Sequence, residues 1–374
     1  MNKAKLIVDV HLDLATNAMT LNRDLTKSVH HIRAKEKTLK WDDFQDRGNG
    51  TVALPELRAG RVGLVFATMI SRYAEHGSPL ASMSLPGWHS PDQAYAYAQC
   101  QLSWYRQMEE AGEMLQIKDS DALLKHMELW LNEEKAAEDL PIGYILALEG
   151  ADSLVTPEYI HRYHAQGLRS IGISHYGPGR YAAGTHSDGS GLTPLGFDLL
   201  KEMNQLDIIL DLTHLTDEGF FQAVDVFEGT VIASHQNCRA IIPGERQFSD
   251  DQLKTIIERG GVIGGALDAW MLYPDYKMKH DSPRNLGIGL EKLVDHFDHI
   301  CQLAGNCEHI GIGSDLDGLF GIEQSPYDLD TIADLQKFSG LLQKRGYSDA
   351  DMERIFHKNW IDLLVKAIGG SGAN

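Results

Sequence analysis

The chain has 374 residues, 43% of them hydrophobic, and a formal net charge of −19. This composition is typical of a globular protein with one large domain or two ordinary ones. The negative charge argues against nucleic acid or an anionic membrane as a partner, because phosphates and acidic lipids repel such a surface.

The cysteines and the N-terminus indicate the cellular compartment. Four cysteines occur: Cys100, Cys238, Cys301 and Cys307. None of them forms a CxxC pair, which argues against a zinc ribbon or a thioredoxin-type site and favours a reducing compartment. The first apolar run is interrupted by Asp9, His11 and Asp13, and no stretch of about 20 apolar residues occurs. We therefore expect a cytoplasmic protein with no membrane partner.

Short apolar runs alternate with amphipathic ones along the chain. The predicted strands are 6–12, 62–70, 142–148, 168–174, 208–213, 230–234, 262–267 and 310–314. The predicted helices are 91–113, 119–138, 157–166, 195–205, 217–227, 249–259 and 286–304. Such alternation is typical of a (β/α)8 TIM barrel or of a doubly wound open sheet, and the count of eight strands favours the barrel.

Two segments are longer than the connections that a minimal (β/α)8 barrel needs. A polar insertion at about 22–60 follows the first strand, and a loop at 73–91 rich in Gly, Ser and Pro follows the second. Both are expected on the carboxyl-end face, where barrel loops build binding sites. The insertion carries His30 and His31 and forms either a lid or a solvated face.

The rest of the chain predicts no second domain. We find no internal repeat and no low-complexity linker, so residues 1–374 are expected to form a single barrel domain. Residues 348–368 predict an amphipathic helix that opens at Ser348, and residues 369–374 predict a disordered tail.

Histidines and carboxylates follow several predicted strands. His11 and Asp13 are two residues apart, so they face the same side of the first strand. Glu149 ends the third strand, and His214 and His235 follow the fifth and sixth. Side chains at these ends share one rim, where neutral imidazoles bind divalent metals. The alternatives are a chance HxD pair and histidines that only cap strands by hydrogen bonding.

The eighth strand adds Asp315 and Asp317 to this rim. Burying so many carboxylates together without a cation is costly, so we expect metal rather than raised pKa values alone. Two ions about 3.5 to 4 Å apart could share a water, with His11 and Asp13 on one ion, His214 and His235 on the other and Glu149 between them. Mixed nitrogen and oxygen ligation suits zinc, and also manganese, cobalt or iron.

Ten sequence motifs carry a specific resemblance. They are DVHLD at Asp9, LPELRAGRVG at Leu54, LEGAD at Leu148, SHYGPGRYA at Ser174, GLTPLG at Gly191, DLTHLT at Asp211, SHQNCRA at Ser234, Arg246, HFDHICQLAG at His296 and HIGIGSDLDG at His309. Through them the chain resembles the membrane dipeptidase family (renal dipeptidase-like, peptidase family M19) of the amidohydrolase superfamily over nearly its whole length.

The resemblance implies a (β/α)8 barrel with a binuclear zinc site. It implies metal ligation by the positions of His11, Asp13, Glu149, His214 and His235. Glu149 would be the bridging ligand, in the place of the carboxylated lysine of many superfamily members. The implied reaction is hydrolysis of an amide by a metal-bridging hydroxide.

The resemblance also implies roles for three further residues. Asp315 would take the proton from the water and deliver it to the leaving amine, and the alternative is a further metal ligand or its hydrogen-bond partner. His175 would stabilise the oxyanion and contact the substrate, unless it is a capping histidine. Arg246 would hold the terminal carboxylate of the substrate, whereas nearby Arg239 is expected to be structural.

The chain departs from the family pattern in places. Val10 and Leu12 stand where Gly and Asn are usual, but neither position is a ligand. The segments after the second and seventh strands differ more, and Asp268, Trp270 and Tyr273 either reshape the specificity pocket or serve packing.

The leading functional hypothesis is a zinc-dependent dipeptidase acting on a small dipeptide, with L-Xaa-D-Xaa substrates as one option. A rival is hydrolysis of another small amide or lactone bearing a carboxylate, such as an N-acyl amino acid or a β-lactam. A third hypothesis is a barrel that binds metal or peptide without turnover, which the presence of every candidate ligand disfavours. A homodimer is one option, because family members are often dimers and the helix at 348–368 could serve an interface, but the sequence does not fix the oligomeric state.

Overall fold

The computed structural model describes residues 4–73, 87–132 and 134–369. Eleven strands occur in this part of the chain. They are β1 (Ile7–Leu12), β2 (Val62–Ile70), β3 (Arg72–Tyr73), β4 (Gly87–Trp88), β5 (Met114–Gln116), β6 (Ile142–Glu149), β7 (Leu168–Gly172), β8 (Ile209–Asp211), β9 (Val231–Ile232), β10 (Ile263–Gly265) and β11 (Ile310–Ile312).

Eight of these strands close into a parallel barrel. Neighbours follow the order β10, β11, β1, β2, β6, β7, β8 and β9, and the bridge between Ala233 and Ile263 joins the last strand to the first. Closure excludes the doubly wound open sheet and confirms the predicted (β/α)8 barrel. Seven of the eight predicted strands contain one barrel strand each, and the predicted strand 142–148 covers all of β6 except its last residue, Glu149.

Helices surround the barrel. They are α1 (Leu14–Met19), α2 (Val29–Leu39), α3 (Leu54–Ala59), α4 (Pro91–Glu110), α5 (Ser120–Leu131), α6 (Tyr159–Ala165), α7 (Pro194–Met203), α8 (Asp217–Val226), α9 (Asp250–Glu258), α10 (Pro283–Leu286), α11 (Glu291–Ala304), α12 (Phe338–Lys344), α13 (Asp349–Glu353) and α14 (Asn359–Ala367). Single turns of 3-10 helix occur at Ala137–Asp139 and Ala269–Met271, with a longer one at Ile332–Lys337. In the described part of the chain, no helix is both long enough and apolar enough to cross a bilayer.

The apolar runs become barrel strands because both of their faces are buried. All nine residues of β2 are buried between the barrel interior and the surrounding helices. Two strand glycines let tryptophans of the helical layer pack against the barrel. A Cβ at Gly63 would lie 2.6 Å from the Trp130 ring, and one at Gly311 would lie 2.1 Å from the Trp360 ring.

Two predicted helices extend at least four residues beyond the observed ones, and one observed strand that pairs with a barrel strand was not predicted. The predicted helix 119–138 ends at Leu131, where Asn132 is already extended. The predicted helix 286–304 begins only at Glu291, because Gly287 adopts a φ of 67° and ends α10. The short strand β5 was not predicted, and it pairs with β6 outside the barrel path.

The C-terminal helix has the predicted start but is not continuous. Ser348 caps it in a capping box with Asp351, as the sequence indicates. A π-helical turn at Arg354–Lys358 separates α13 from α14 and brings His357 Nδ1 within 3.2 Å of the carbonyl oxygen of Leu6. The predicted tail lies outside the described residues except for its first position.

The insertion at 22–60 folds into α2 and α3. Its backbone N–H groups at Thr51 and Val52 donate to Asp317, at 2.6 and 2.9 Å, so the segment reaches the carboxyl end of β11. His30 and His31 are exposed on α2, which agrees with a solvated face. Most of the loop predicted at 73–91 lies outside the described residues, and its two ends pair as β3 and β4.

Candidate metal centre

Glu149 lies at the centre of the predicted ligand set, at the carboxyl end of β6. Its Oε1 is 3.2 Å from His214 Nε2 and 3.5 Å from His235 Nε2. Its Oε2 is 3.6 Å from His11 Nε2. Three imidazoles that are 203 and 21 residues apart along the chain therefore surround one carboxylate.

His11 links this carboxylate to the other acidic residues. Its Nε2 lies 3.9 Å from Asp13 Oδ2 and 3.7 Å from Asp315 Oδ1. Within the described residues, three groups of side chains offer ligand atoms within 4.8 Å of one another: His11 with Glu149 and His235, Glu149 with His175 and His214, and His11 with Asp13 and Asp315. Glu149 belongs to two of these groups, which is the arrangement expected of a bridging ligand. The grouping also places His175 and Asp315 within reach of a metal.

Unusual backbone conformations aim two of these side chains. His214 has a φ of 70° and Asp315 a φ of 59°, in the left-handed region that non-glycine residues seldom adopt. Strained residues of this kind concentrate at functional sites. Gly150, directly after Glu149, has a φ of 79°, a backbone conformation that favours glycine at this position.

Two buried aspartates tie neighbouring strands together beneath the site. Asp9 Oδ1 accepts hydrogen bonds from Ser314 N at 2.9 Å and from His11 N at 3.3 Å. Asp211 Oδ1 accepts from Thr213 N at 3.1 Å and from Ser234 N at 2.9 Å. Each carboxylate thus fixes the end of its own strand relative to the neighbouring strand of the barrel. It thereby also positions the residues that follow the strand.

The histidines are electrostatically suited to bind metal. Burial, and next the positive charge of Arg246, lower the pKa of His11 to about 3. Burial lowers the pKa values of His214 and His235 well below the ordinary histidine value, and Arg246 adds to the effect at both. The rings are therefore neutral at physiological pH, and neutral imidazole is the form that ligates a cation.

The carboxylates show the opposite behaviour. Burial, and then neighbouring acids, raise the pKa values of Glu149 and Asp315 well above their ordinary values and that of Asp13 to about 7. His11 Nε2 and Asp13 Oδ1 are buried and have no hydrogen-bond partner among the described residues. Divalent cations would satisfy these atoms and stabilise the ionised carboxylates, so the residues present fit a two-metal site.

A cleft of about 970 Å³, part of it open to solvent, leads to these side chains. Asp13, Glu149, His214, His235 and Asp315 form its floor, and its walls include Arg72, His175, Tyr176, Asp268, Trp270 and Phe320. A cleft of this size accommodates a small molecule.

Arg246 is buried behind the cleft floor, with 2% of its surface exposed. Its Nη2 donates to the carbonyl oxygen of His235 at 3.1 Å, its Nε lies 3.3 Å from the Tyr176 hydroxyl, and its Nη1 donates to Gln236 Oε1. A guanidinium carries five N–H groups. One N–H on each terminal nitrogen therefore remains for a ligand.

A family model that matches nearly the whole chain shows the family of this protein. A model of the membrane dipeptidase family (peptidase family M19) matches residues 1–367. The chain belongs to this family. Membership confirms the resemblance on which the ligand set was based and the predicted class of enzyme, a dipeptidase.

Individual members of the family are more distant. A Klebsiella pneumoniae protein described as "Uncharacterized protein in pqqA 5'region" is 28% identical over 62% of this chain and 84% of that protein. Dipeptidase tcpJ of Claviceps purpurea is 28% identical over 59% of this chain and 50% of that enzyme, so the chain spans only about half the length of that relative.

One solved structure extends the fold comparison. A metallopeptidase from Rhodobacter sphaeroides, liganded with a phosphinate mimic of the dipeptide L-Ala-D-Ala, superposes with a TM-score of 0.76 at 24% identity. The match covers 98% of this chain and 100% of that one. At this identity the likeness supports the barrel fold.

Sequence reasoning missed several residues of this M19 site. Arg72 contacts His175 Nδ1 through its Nη2, and the Tyr176 ring packs edge-on against His214 with ring centroids 4.6 Å apart. Both lie within four residues of the end of a barrel strand, Arg72 after β2 and Tyr176 after β7, and the sequence around Arg72 is one of those that depart from the family pattern. A strand-end rule applied to arginine and tyrosine would have found them. Asp9 and Asp211 lie within quoted motifs, but their ties to the next strand depend on the fold.

The departures after the seventh strand separate into two groups. Asp268 and Trp270 line the cleft, and Trp270 Nε1 donates to Asp268 Oδ2 at 2.8 Å. Tyr273 instead packs half-buried against the hydrophobic core.

Arg239 lies on the rim of the barrel, where its terminal nitrogens bind Asp217 at 2.7 and 2.8 Å.

Proposed function

We propose that this M19 protein is a zinc-dependent dipeptidase that hydrolyses small dipeptides and accepts a D residue at the C-terminal position. The observation that carries the proposal is the Glu149 carboxylate, with three neutral imidazole nitrogens between 3.2 and 3.6 Å from its oxygens. Mixed nitrogen and oxygen ligation favours zinc among the divalent metals.

His11 and Asp13 would hold one ion, His214 and His235 the other, and Glu149 would lie between the two. When bound, such a pair lowers the pKa of a water molecule and polarises the scissile carbonyl. Proton transfer and substrate placement remain the task of the protein.

Asp315 is the proposed proton carrier. Its Oδ1 lies beside the ligand set, 3.7 Å from His11 Nε2. Its carboxylate would accept a proton from the attacking water and pass it to the nitrogen of the leaving amine.

His175 is the proposed donor to the carbonyl oxygen. Its Nδ1 faces the Arg72 guanidinium, which can only donate a hydrogen bond. Nδ1 is therefore the acceptor of the ring, and Nε2 carries the proton. That nitrogen lies 3.7 Å from Glu149 Oε1, close to the point where the reacting carbonyl must bind.

The two free N–H groups of Arg246 would bind the terminal carboxylate of the substrate as a bidentate pair. The proposal of a D residue rests on the Rhodobacter sphaeroides metallopeptidase, whose bound ligand mimics L-Ala-D-Ala.

An array of L-Xaa-L-Xaa and L-Xaa-D-Xaa dipeptides, assayed with added zinc, tests this function. Elemental analysis of protein purified without chelators should give about two zinc atoms per chain. Far less than one metal per chain, or hydrolysis only of lactones or N-acyl amino acids, would refute the proposal.

A further inference from the structure

A second cavity adjoins the metal centre. Its empty space is about 420 Å³ when the part open to solvent is included, and it shares Arg72, His175 and Tyr176 with the substrate cleft. Its remaining wall comes largely from Ser174, from the glycines at 150 and 177, and from Asp152. We call it the Arg72 pocket. None of the proposed metal ligands lines it.

The Arg72 guanidinium is nearly unpaired, although only 9% of the residue is exposed. Among the described residues its single hydrogen-bond partner is His175 Nδ1, and its Nε has none. No carboxylate of the described chain forms an ion pair with it. Burial accordingly lowers the pKa of Arg72 below that of an ordinary arginine, even though Glu149 and Asp152 act in the other direction.

Two buried arginines of the insertion, Arg23 and Arg33, are paired with carboxylates. Arg23, for example, binds Glu36 at 2.9 Å and Asp46 at 2.8 Å. A buried charge without such partners is costly, and it persists where a ligand completes its hydrogen bonds. Arg72 therefore needs a further hydrogen-bond acceptor, and the described residues do not supply one.

The acid in the pocket is already occupied by the backbone. Asp152 Oδ2 accepts from Tyr73 N at 3.2 Å, and Asp152 Oδ1 accepts from Arg180 N at 3.0 Å. Ser174 Oγ is buried in the same wall and has no partner in the described part of the chain. The pocket thus offers a guanidinium and a free hydroxyl, the donors that bind a carboxylate.

We propose that the Arg72 pocket binds the side-chain carboxylate of an aspartate or glutamate in the dipeptide substrate. This inference rests on the proposed dipeptidase function and narrows its substrate class. Arg246 is buried behind the cleft floor, whereas Arg72 lines the wall of the cleft, and the terminal carboxylate needs only the first. A dipeptide with an acidic side chain supplies a second carboxylate for the other.

Matched substrates test the pocket without changing the protein. L-Glu-L-Ala is compared with L-Gln-L-Ala, and L-Ala-L-Glu and L-Ala-D-Glu with their glutamine counterparts. A charge-assisted hydrogen bond predicts a kcat/KM about 10- to 100-fold higher for the acid in at least one pair. The pair that shows it identifies which residue of the dipeptide enters the pocket. Ratios near one in every pair would overturn the inference.

Substitution then assigns the preference to Arg72. Arg72→Gln should reduce the acid-to-amide ratio to near one, Arg72→Lys should keep part of it, and Ser174→Ala should lower it a few-fold. Arg345→Gln removes the same charge from the surface, where Arg345 pairs with Asp295 and Asp298, and should leave the ratio unchanged. If Arg72 only positions His175, kcat would fall equally for acid and amide and the ratio would survive in Arg72→Gln, which would refute the specificity role.

The neutral members of each pair report separately on the proposed function. Hydrolysis of L-Gln-L-Ala with a ratio near one refutes the pocket and leaves the dipeptidase assignment intact. If no dipeptide is hydrolysed, calorimetric binding of L-Glu-L-Ala and L-Gln-L-Ala to the zinc-loaded protein still measures the preference. At least about tenfold tighter binding of the acid supports the pocket, and equal binding refutes it.

Discussion

Two clusters of buried charge lie at the carboxyl-end face of this barrel, and they are built in opposite ways. The first, which we call the insertion cluster, consists of Arg23, Glu36, Asp46 and Arg47. The second is the metal centre around Glu149. Both bury several carboxylates, but among the described residues only the carboxylates of the insertion cluster form ion pairs with arginines.

Glu36 shows how the insertion cluster is paired. It accepts from Arg23 Nε at 2.9 Å, from Arg47 Nη1 at 2.8 Å and from Gly48 N at 2.6 Å. Burial alone would raise the pKa of Glu36, yet the hydrogen bonds and charge of Arg23, with those of Gly48 and Arg47, lower it. At the metal centre the pKa values of Glu149 and Asp315 are raised instead. A buried acid with its own arginines has a structural role, whereas buried acids without them indicate a cation from outside the chain.

The strongest test of this contrast is Asp315→Asn at the metal centre. We expect kcat to fall by about 10²- to 10⁴-fold, because a general acid-base group is lost, while bound zinc stays unchanged. Steady-state kinetics with elemental analysis of the same samples measures both. A parallel loss of zinc would contradict the proton-carrier role and make Asp315 a ligand.

Glu36→Gln tests the insertion cluster. Removing one partner of a buried ion network is expected to lower the free energy of unfolding by about 3 to 5 kcal/mol, because Arg23 and Arg47 lose a shared acceptor. Urea unfolding measures it. The control Glu353→Gln breaks an exposed pair with Lys358 and should cost about 1 kcal/mol or less. Since the cluster is structural, kcat of folded Glu36→Gln should match the wild type, and a large fall would contradict this reading.

Metal removal should affect the metal centre alone. Dialysis against a chelator is expected to lower the free energy of unfolding by about 3 to 4 kcal/mol for each zinc ion removed, relative to protein in zinc at 100 to 1,000 times its Kd. Re-addition of zinc should restore it. The same decrement is expected in Glu36→Gln, because the two clusters do not share a cation. A chelator effect that vanished in that variant would show that they are coupled.

The smallest expected effect is at His296, a buried histidine that lies in neither cluster. Its Nδ1 accepts from Cys238 N at 3.0 Å, and burial lowers its pKa to about 3. An unfolded histidine titrates near about 6.5, so below that pH protons bind the unfolded chain preferentially. Stability from this group is present above pH 6.5 and is lost as the pH falls toward 3. Between pH 7 and 5, the free energy of unfolding of the wild type should therefore fall by about 2 kcal/mol more than that of His296→Asn. Urea unfolding of both proteins at each pH measures this difference. An unchanged pH slope would contradict it.

The two clusters also differ in how far the sequence predicts them. The metal centre is predictable because each candidate ligand ends an apolar run, and the carboxyl ends of barrel strands share one rim. The insertion cluster is not, because nothing local distinguishes Arg23 or Glu36 from the other charges of a polar segment. The helix starts at Ser249 and Ser348 follow from capping residues, whereas the break after Leu286 depends on one left-handed glycine.

The sequence by itself determined the barrel, the family and the positions of the candidate ligands. Strand formation depends on continuous runs such as 62–70, and a ligand position depends on the residue that directly follows such a run. Only the tertiary structure decided which charges are paired: Asp9 with the backbone of Ser314, Arg23 with Glu36, and Arg72 with a histidine and with no acid of the described residues. The physical reason is that burial and hydrogen-bond partners come from long-range packing, which brings together residues as far apart as Asp9 and Ser314 and leaves no local pattern in the chain.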